Sequence, residues 1–137
     1  FLIMKNILKN IAAVVLGWLG GSIINMLLVQ AGHSLFPMEG VDINDLDSLA
    51  AAMPNLSAEH FLFPFLAHAI GTFVGAFTAV KIAGSRHQSM AMIVGCIFLI
   101  GGIVAVVMFG GPLWFKALDL IVAYLPMAYL AHKVASK

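Results

Sequence analysis

Charge is what this sequence has least of. Seven Lys and Arg and six Asp and Glu make up 9% of its 137 residues, while 62% are hydrophobic. Soluble domains carry about 25% charged residues, and a chain this short cannot bury so much apolar side chain inside one aqueous core. A solvent other than water is implied. The net charge of +1 and the scatter of the cations leave no phosphate-neutralising surface, so no nucleic-acid partner is expected. A single cysteine, Cys96, excludes an internal disulfide and any multi-cysteine zinc or iron–sulfur centre. Set in an apolar run, Cys96 reads as a small buried hydrophobe. The patterns G-x-S-x-G, H-E-x-x-H, the P-loop and G-x-G-x-x-G are all missing. No catalytic residue is assigned, and the chain does not read as an enzyme.

Long apolar runs are what the sequence does have. Four of them, over 7–30, 60–82, 89–109 and 113–133, approach or exceed the roughly 20 residues that cross a hydrocarbon core of about 30 Å. Lipid offers no partner to backbone N–H and C=O groups, so runs of this kind must be helices. The expected fold is all-α: a single integral membrane domain over 1–137, built as a four-transmembrane-helix bundle with an outer loop over 31–59. Lys5 and Lys9 resemble the basic start of a secretory signal, but the first run exceeds the 7 to 15 residues of a signal core and reads as a retained anchor. Met4-Lys5-Asn6 reads as a translation start, with Phe1-Leu2-Ile3 lying before it.

Cytoplasmic loops and tails collect Lys and Arg. Lys5, Lys9, Lys81, Arg86, Lys133 and Lys137 all fall on one side of the expected topology, whereas the 31–59 loop holds Glu39, Asp42, Asp45, Asp47 and Glu59 without a cation. Both termini are therefore expected in the cytoplasm. Within the loop, Asp45 and Asp47 precede Leu46, Leu49, Ala50 and Met53 at helical spacing, which predicts a short amphipathic helix on the outer interface, ending at Pro54. The acidic cluster lacks the glycine and distal Glu of an EF-hand, and no metal site is assigned. Ser57 is expected to cap the second span, and Pro112 to open the fourth after the Gly110-Gly111 turn.

Small residues recur every fourth position in the second run, at Ala67, Gly71, Gly75, Ala79 and Ala83, and in the first at Ala13, Gly17 and Gly21, with Asn25 next in register. Membrane helices associate by close backbone approach, which such stripes permit. The first span is thus expected to pack on the second through Gly17, Gly21, Gly71, Gly75 and Ala79.

An ionisable group within a span costs about 2.5–3.5 kcal/mol on insertion scales and tends to face a partner. Counted inward at about 1.5 Å per residue, Asn25 lies about 8 Å below the outer boundary, Asp119 about 10 Å and His68 about 12 Å. Thr72 lies near His68 on the small-residue face, Tyr124 adds a phenol at mid-depth, and Lys116 stands one turn above Asp119. Pro126 cannot donate to the Val122 carbonyl, so the fourth span should kink there. Two readings of the cluster are open. One is a structural clasp between helices. The other is a binding site tuned by its own carboxylate and imidazole. A b-type haem would require a second deep histidine facing His68, and none is present, so no cofactor is assigned.

The stretches His68-Ala69-Ile70-Gly71-Thr72-Phe73-Val74-Gly75-Ala76, Trp114-Phe115-Lys116-Ala117-Leu118-Asp119-Leu120 and Ala123-Tyr124-Leu125-Pro126-Met127-Ala128 resemble small four-helix inner-membrane proteins of bacteria to which no activity is attached. The resemblance implies a bacterial inner-membrane location and carries no mechanism. The expected function is binding or transport of a small solute, ion or proton through the Asn25, His68, Thr72 and Asp119 cluster. The alternative is a noncatalytic accessory or assembly subunit of a larger membrane complex. Expected partners are membrane lipids and either further copies of the chain or another membrane protein.

Overall fold

The structure, a computed structural model, describes residues 1–137 throughout and contains only helices. They are α1 (Leu2–Leu35), α2 (Leu46–Ala52), α3 (Glu59–Ile82), α4 (His87–Phe109), α5 (Leu113–Val122) and α6 (Leu125–Ala135), with one 3₁₀ turn at Met53–Asn55. Four helical stretches are long and apolar enough to cross a membrane: α1, α3, α4 and the pair α5–α6.

The bounds differ from the apolar runs where composition and backbone part company. With 34 residues, α1 spans about 51 Å at 1.5 Å per residue, well beyond the 7–30 run. Lys5, Asn6 and Gln30 are polar yet helix-compatible. What stops the helix is Phe36, which precedes Pro37 and leaves the α region at φ −127° and ψ 74°, as the ring of a following proline demands. Asp45 caps α2 as expected, its carboxylate accepting from the Asp47 N–H at 3.1 Å. Ser57 does not cap α3. The N-cap position is Ala58, and the Ser57 hydroxyl bonds the side chains of Glu59 and His60 instead, at 3.2 and 3.0 Å.

The fourth span is not one continuous helix. It breaks at Ala123–Tyr124, where Tyr124 adopts φ −114° and ψ −81°, and α6 restarts with Pro126 in its first turn. Proline is tolerated there because its missing N–H would have been unpaired in any case. The expected kink is thus a full break set two residues ahead of the proline, and it turns the Tyr124 side chain into the bundle.

Helix α3 is the centre of the packing, with α1, α4, α5 and α6 arranged around it. Along α1 and α3 the small residues meet backbone to backbone. A Cβ added at Gly17 would lie 2.5 Å from the Gly75 carbonyl oxygen, and one at Gly71 would lie 2.9 Å from that of Gly21. Alanines fill most of the remaining core, among them Ala13, Ala76, Ala79, Ala91, Ala128 and Ala131. Cys96 departs from its expected burial and is exposed on α4. That helix is apolar all round, and an unbroken apolar sequence carries no signal of which face turns inward.

At one end of the bundle a side-chain clamp gathers three elements. Asn10 on α1 accepts from the N–H groups of Gly84 and Ser85 at 3.0 and 3.2 Å and donates to the Ser85 hydroxyl at 3.1 Å. Lys81 donates to the Ala135 carbonyl at 2.8 Å, which adds the end of α6. The clamp holds the α3–α4 turn, in which Arg86 takes a left-handed φ of 49°. Substituting Asn10→Ala strips acceptors from two N–H groups in a partly buried turn, so it is expected to cost about 1–3 kcal/mol. Thermal unfolding in detergent measures this, and an unchanged midpoint would mean that water replaces the amide.

Candidate functional site

His68 sits midway along α3, Asp119 lies one turn before the break in the fourth span, and Tyr124 lies in the break. Packing of α5 on α3 brings the first two together, and the break adds the third. His68 Nδ1 lies 2.7 Å from Asp119 Oδ1, and the Tyr124 hydroxyl donates to Asp119 Oδ2 at 2.9 Å. The imidazole and phenol rings stack with centroids 5.8 Å apart. Gly102 on α4 makes this possible, because a Cβ there would collide with the Tyr124 hydroxyl.

As a carboxylate, Asp119 offers only acceptors, so Nδ1 carries the hydrogen of the first bond and Nε2 of the neutral ring is left as an acceptor. Asp119 is 2% exposed and Tyr124 1%. The His68 side chain is 24% exposed, and its Nε2 has no partner in the chain. Imidazole is therefore the face that the cluster shows to its surroundings, with the carboxylate buried behind it.

Two cavities meet at this ring. The first, of about 340 Å³, lies beneath α2 and is lined mainly by apolar side chains, Leu49 of α2, Met53 of the 3₁₀ turn and Phe109 of α4 among them, with His68 and Asp119 in its wall. The second, of about 250 Å³, opens between α1 and α4, past Trp18, Ser22 and Asn25 on one side and Ile97, Phe98 and Gly101 on the other. His68 lines both.

Other residues assigned to the cluster stand apart from it. Asn25 lines the second cavity without bonding His68 or Asp119, because the close approach of α1 to α3 packs its Cβ against Gly71. Thr72 is fully buried, and its hydroxyl has no partner, in contrast to Thr78, whose hydroxyl donates to the Val74 carbonyl at 2.8 Å. Lys116 forms no ion pair with Asp119, whose single salt-bridge partner is His68. Both carboxylate oxygens are already engaged.

His33, near the end of α1, and His60, near the start of α3, also line the first cavity. A signal for one of them was present: His60, Pro64, His68 and Thr72 recur every fourth residue, which puts them on one side of α3. No three His, Cys, Asp or Glu side chains come close enough to hold a metal ion.

No family model, curated protein or solved structure matches the chain. What the site can do is therefore argued from its geometry. An accessible Nε2 can accept a hydrogen bond or a proton, and the carboxylate on Nδ1 stabilises the imidazolium that proton uptake would form.

Proposed function

We propose that this is a multi-pass protein of the bacterial inner membrane, with both termini in the cytoplasm, that binds and passes a small solute or proton at the His68–Asp119–Tyr124 cluster. The observation that carries this reading is the position of His68 in the walls of two cavities. A group that only tied helices together would be enclosed by them. An intramembrane ionisable group in contact with an accessible cavity is the usual mark of a substrate or proton path. Topology is supported by Lys5, Lys9, Lys81, Arg86, Lys133 and Lys137, which lie at the end of the bundle where Asn10 and Lys81 bond the turn and the C-terminal helix. Under this reading α2 and the 3₁₀ turn after it cover the outer mouth of the first cavity with Leu49 and Met53 rather than only floating on the interface.

Proteoliposomes carrying an entrapped pH dye test the proposal under an imposed pH gradient. The expected result is a flux that depends on the protein and disappears in His68→Phe and Asp119→Asn. Correctly folded protein that conducts neither protons nor the solutes tried, with unchanged behaviour in both variants, would instead favour the accessory-subunit reading, in which the cluster ties α3 to α5 and α6.

A further inference from the structure

The first cavity also restricts what its occupant can be. Resting on the site reading above, we infer that it takes an uncharged amphiphile whose polar end is a hydroxyl: an apolar alcohol or phenol that donates a hydrogen bond to His68 Nε2. Charge excludes the alternatives. No Lys or Arg lines the cavity, so an anionic head would meet a buried carboxylate and no counter-charge. A cationic head would seek Asp119, but only 2% of the residue is exposed, behind the His68 and Tyr124 rings that bond it.

The hydrogen-bond directions exclude neutral heads that can only accept. With Nδ1–H committed to the carboxylate at 2.7 Å, Nε2 is left with a lone pair and no hydrogen. A carbonyl or ether oxygen facing that lone pair gains nothing, whereas a hydroxyl donates to it. The rest of the wall suits an apolar body, since Leu49, Met53, Phe61, Val106 and Phe109 surround the space. A volume of about 340 Å³ corresponds to roughly eleven water-sized groups at about 30 Å³ each. That accommodates a ring with a short alkyl tail, or the head and first carbons of a longer chain whose remainder leaves by the mouth. His33 and His60 line the same cavity, and with Nδ1 on the Ser57 hydroxyl at 3.0 Å His60 also keeps a free Nε2. His68 differs in having its Nδ1 on a buried carboxylate, and the His68→Phe variant tells the imidazoles apart.

The test places the protein in lipid nanodiscs with a diazirine-bearing 4-alkylphenol, followed by illumination and mapping of the labelled peptides. Labelling is expected on the segments carrying Leu49, Met53 and Phe109. It should be displaced by 4-butylphenol at about one tenth of the concentration required of 4-butylanisole, in which a methyl replaces the donated hydrogen; a factor of ten is what one hydrogen bond supplies. His68→Phe should erase that preference, and Leu49→Trp, a change in the cover that leaves the cluster untouched, should reduce labelling by filling the cavity. Equal displacement by phenol and anisole overturns the inference, as does labelling elsewhere or labelling undiminished in folded Leu49→Trp. The two proposals fail separately. A pH-driven flux without phenol preference removes only the ligand class, and phenol-selective labelling without any flux removes only transport.

Discussion

Gly21→Ala is expected to lower the unfolding midpoint in detergent, while Gly20→Ala, one residue earlier, leaves it unchanged or raises it. The two glycines share a helix and a sequence neighbourhood, so intrinsic propensity treats them alike: Ala is favoured over Gly by up to about 1 kcal/mol in a helix interior. Packing separates them. A Cβ at Gly20 meets nothing within 4 Å, whereas one at Gly21 collides with the Gly71 carbonyl oxygen and comes within 2.8 Å of the Phe98 ring. Phe98 can rotate, but a carbonyl within α3 cannot move without separating α1 from α3. Overpacking of this kind costs about 1–3 kcal/mol, and because the propensity gain is common to both, the two single-methyl changes should differ by that same amount, about 1–3 kcal/mol. Unfolding followed by circular dichroism on a denaturing detergent titration measures the difference. Equal shifts would show that the helices do not rely on backbone contact at this point.

That contact was legible in the sequence because a spacing of four is itself a statement about one helix face. Gly17 and Gly21 on α1 and Gly71 and Gly75 on α3 meet as their spacing implies. The long helices were legible for a similar reason, since length and apolar character are local properties. Less was readable where the outcome depends on distant partners. Pro126 announces a lost backbone bond, but the residue that absorbs the change in backbone angles is Tyr124, whose hydroxyl meets Asp119 across the break. The apolar face of α2 reads the same whether it meets lipid or covers a cavity. Asn10 lies three residues before Ala13 and so on the face that meets α3, but nothing local marks its role, because its partners Gly84 and Ser85 lie 74 and 75 residues away.

The site was legible in its members more than in its connections. His68 and Asp119 are conspicuous because an apolar span makes any ionisable group conspicuous. Depth counting placed Asn25 beside them, but a shared depth is not a shared azimuth, and Asn25 faces the second cavity. Lys116 was near in sequence, but the Asp119 oxygens accept from His68 and Tyr124 and no ion pair with Lys116 forms. Thr72 remains the one buried side-chain polar atom without a hydrogen bond, although it lies one turn from His68 on α3.

Asp119→Leu is expected to be the most destabilising single change in the bundle, and Asp119→Asn to be mild by comparison. Leucine leaves the Tyr124 hydroxyl and His68 Nδ1–H without acceptors in a buried position, at about 1–3 kcal/mol for each orphaned donor. Asparagine keeps the shape and one acceptor. Its amide N–H₂ can face His68 if the imidazole moves its hydrogen from Nδ1 to Nε2, so that Nδ1 accepts and the bond survives. The fold is then retained while the exposed nitrogen changes from acceptor to donor, and with the carboxylate gone nothing stabilises an imidazolium. Thermal unfolding of the two variants, together with ¹⁵N shifts of the His68 ring to read which nitrogen is protonated, distinguishes the cases. A functional site predicts Asp119→Asn folded, with an inverted tautomer and no flux. If Asp119→Asn unfolds as readily as Asp119→Leu, the carboxylate's charge is what holds α3 to α5, and the cluster is a clasp.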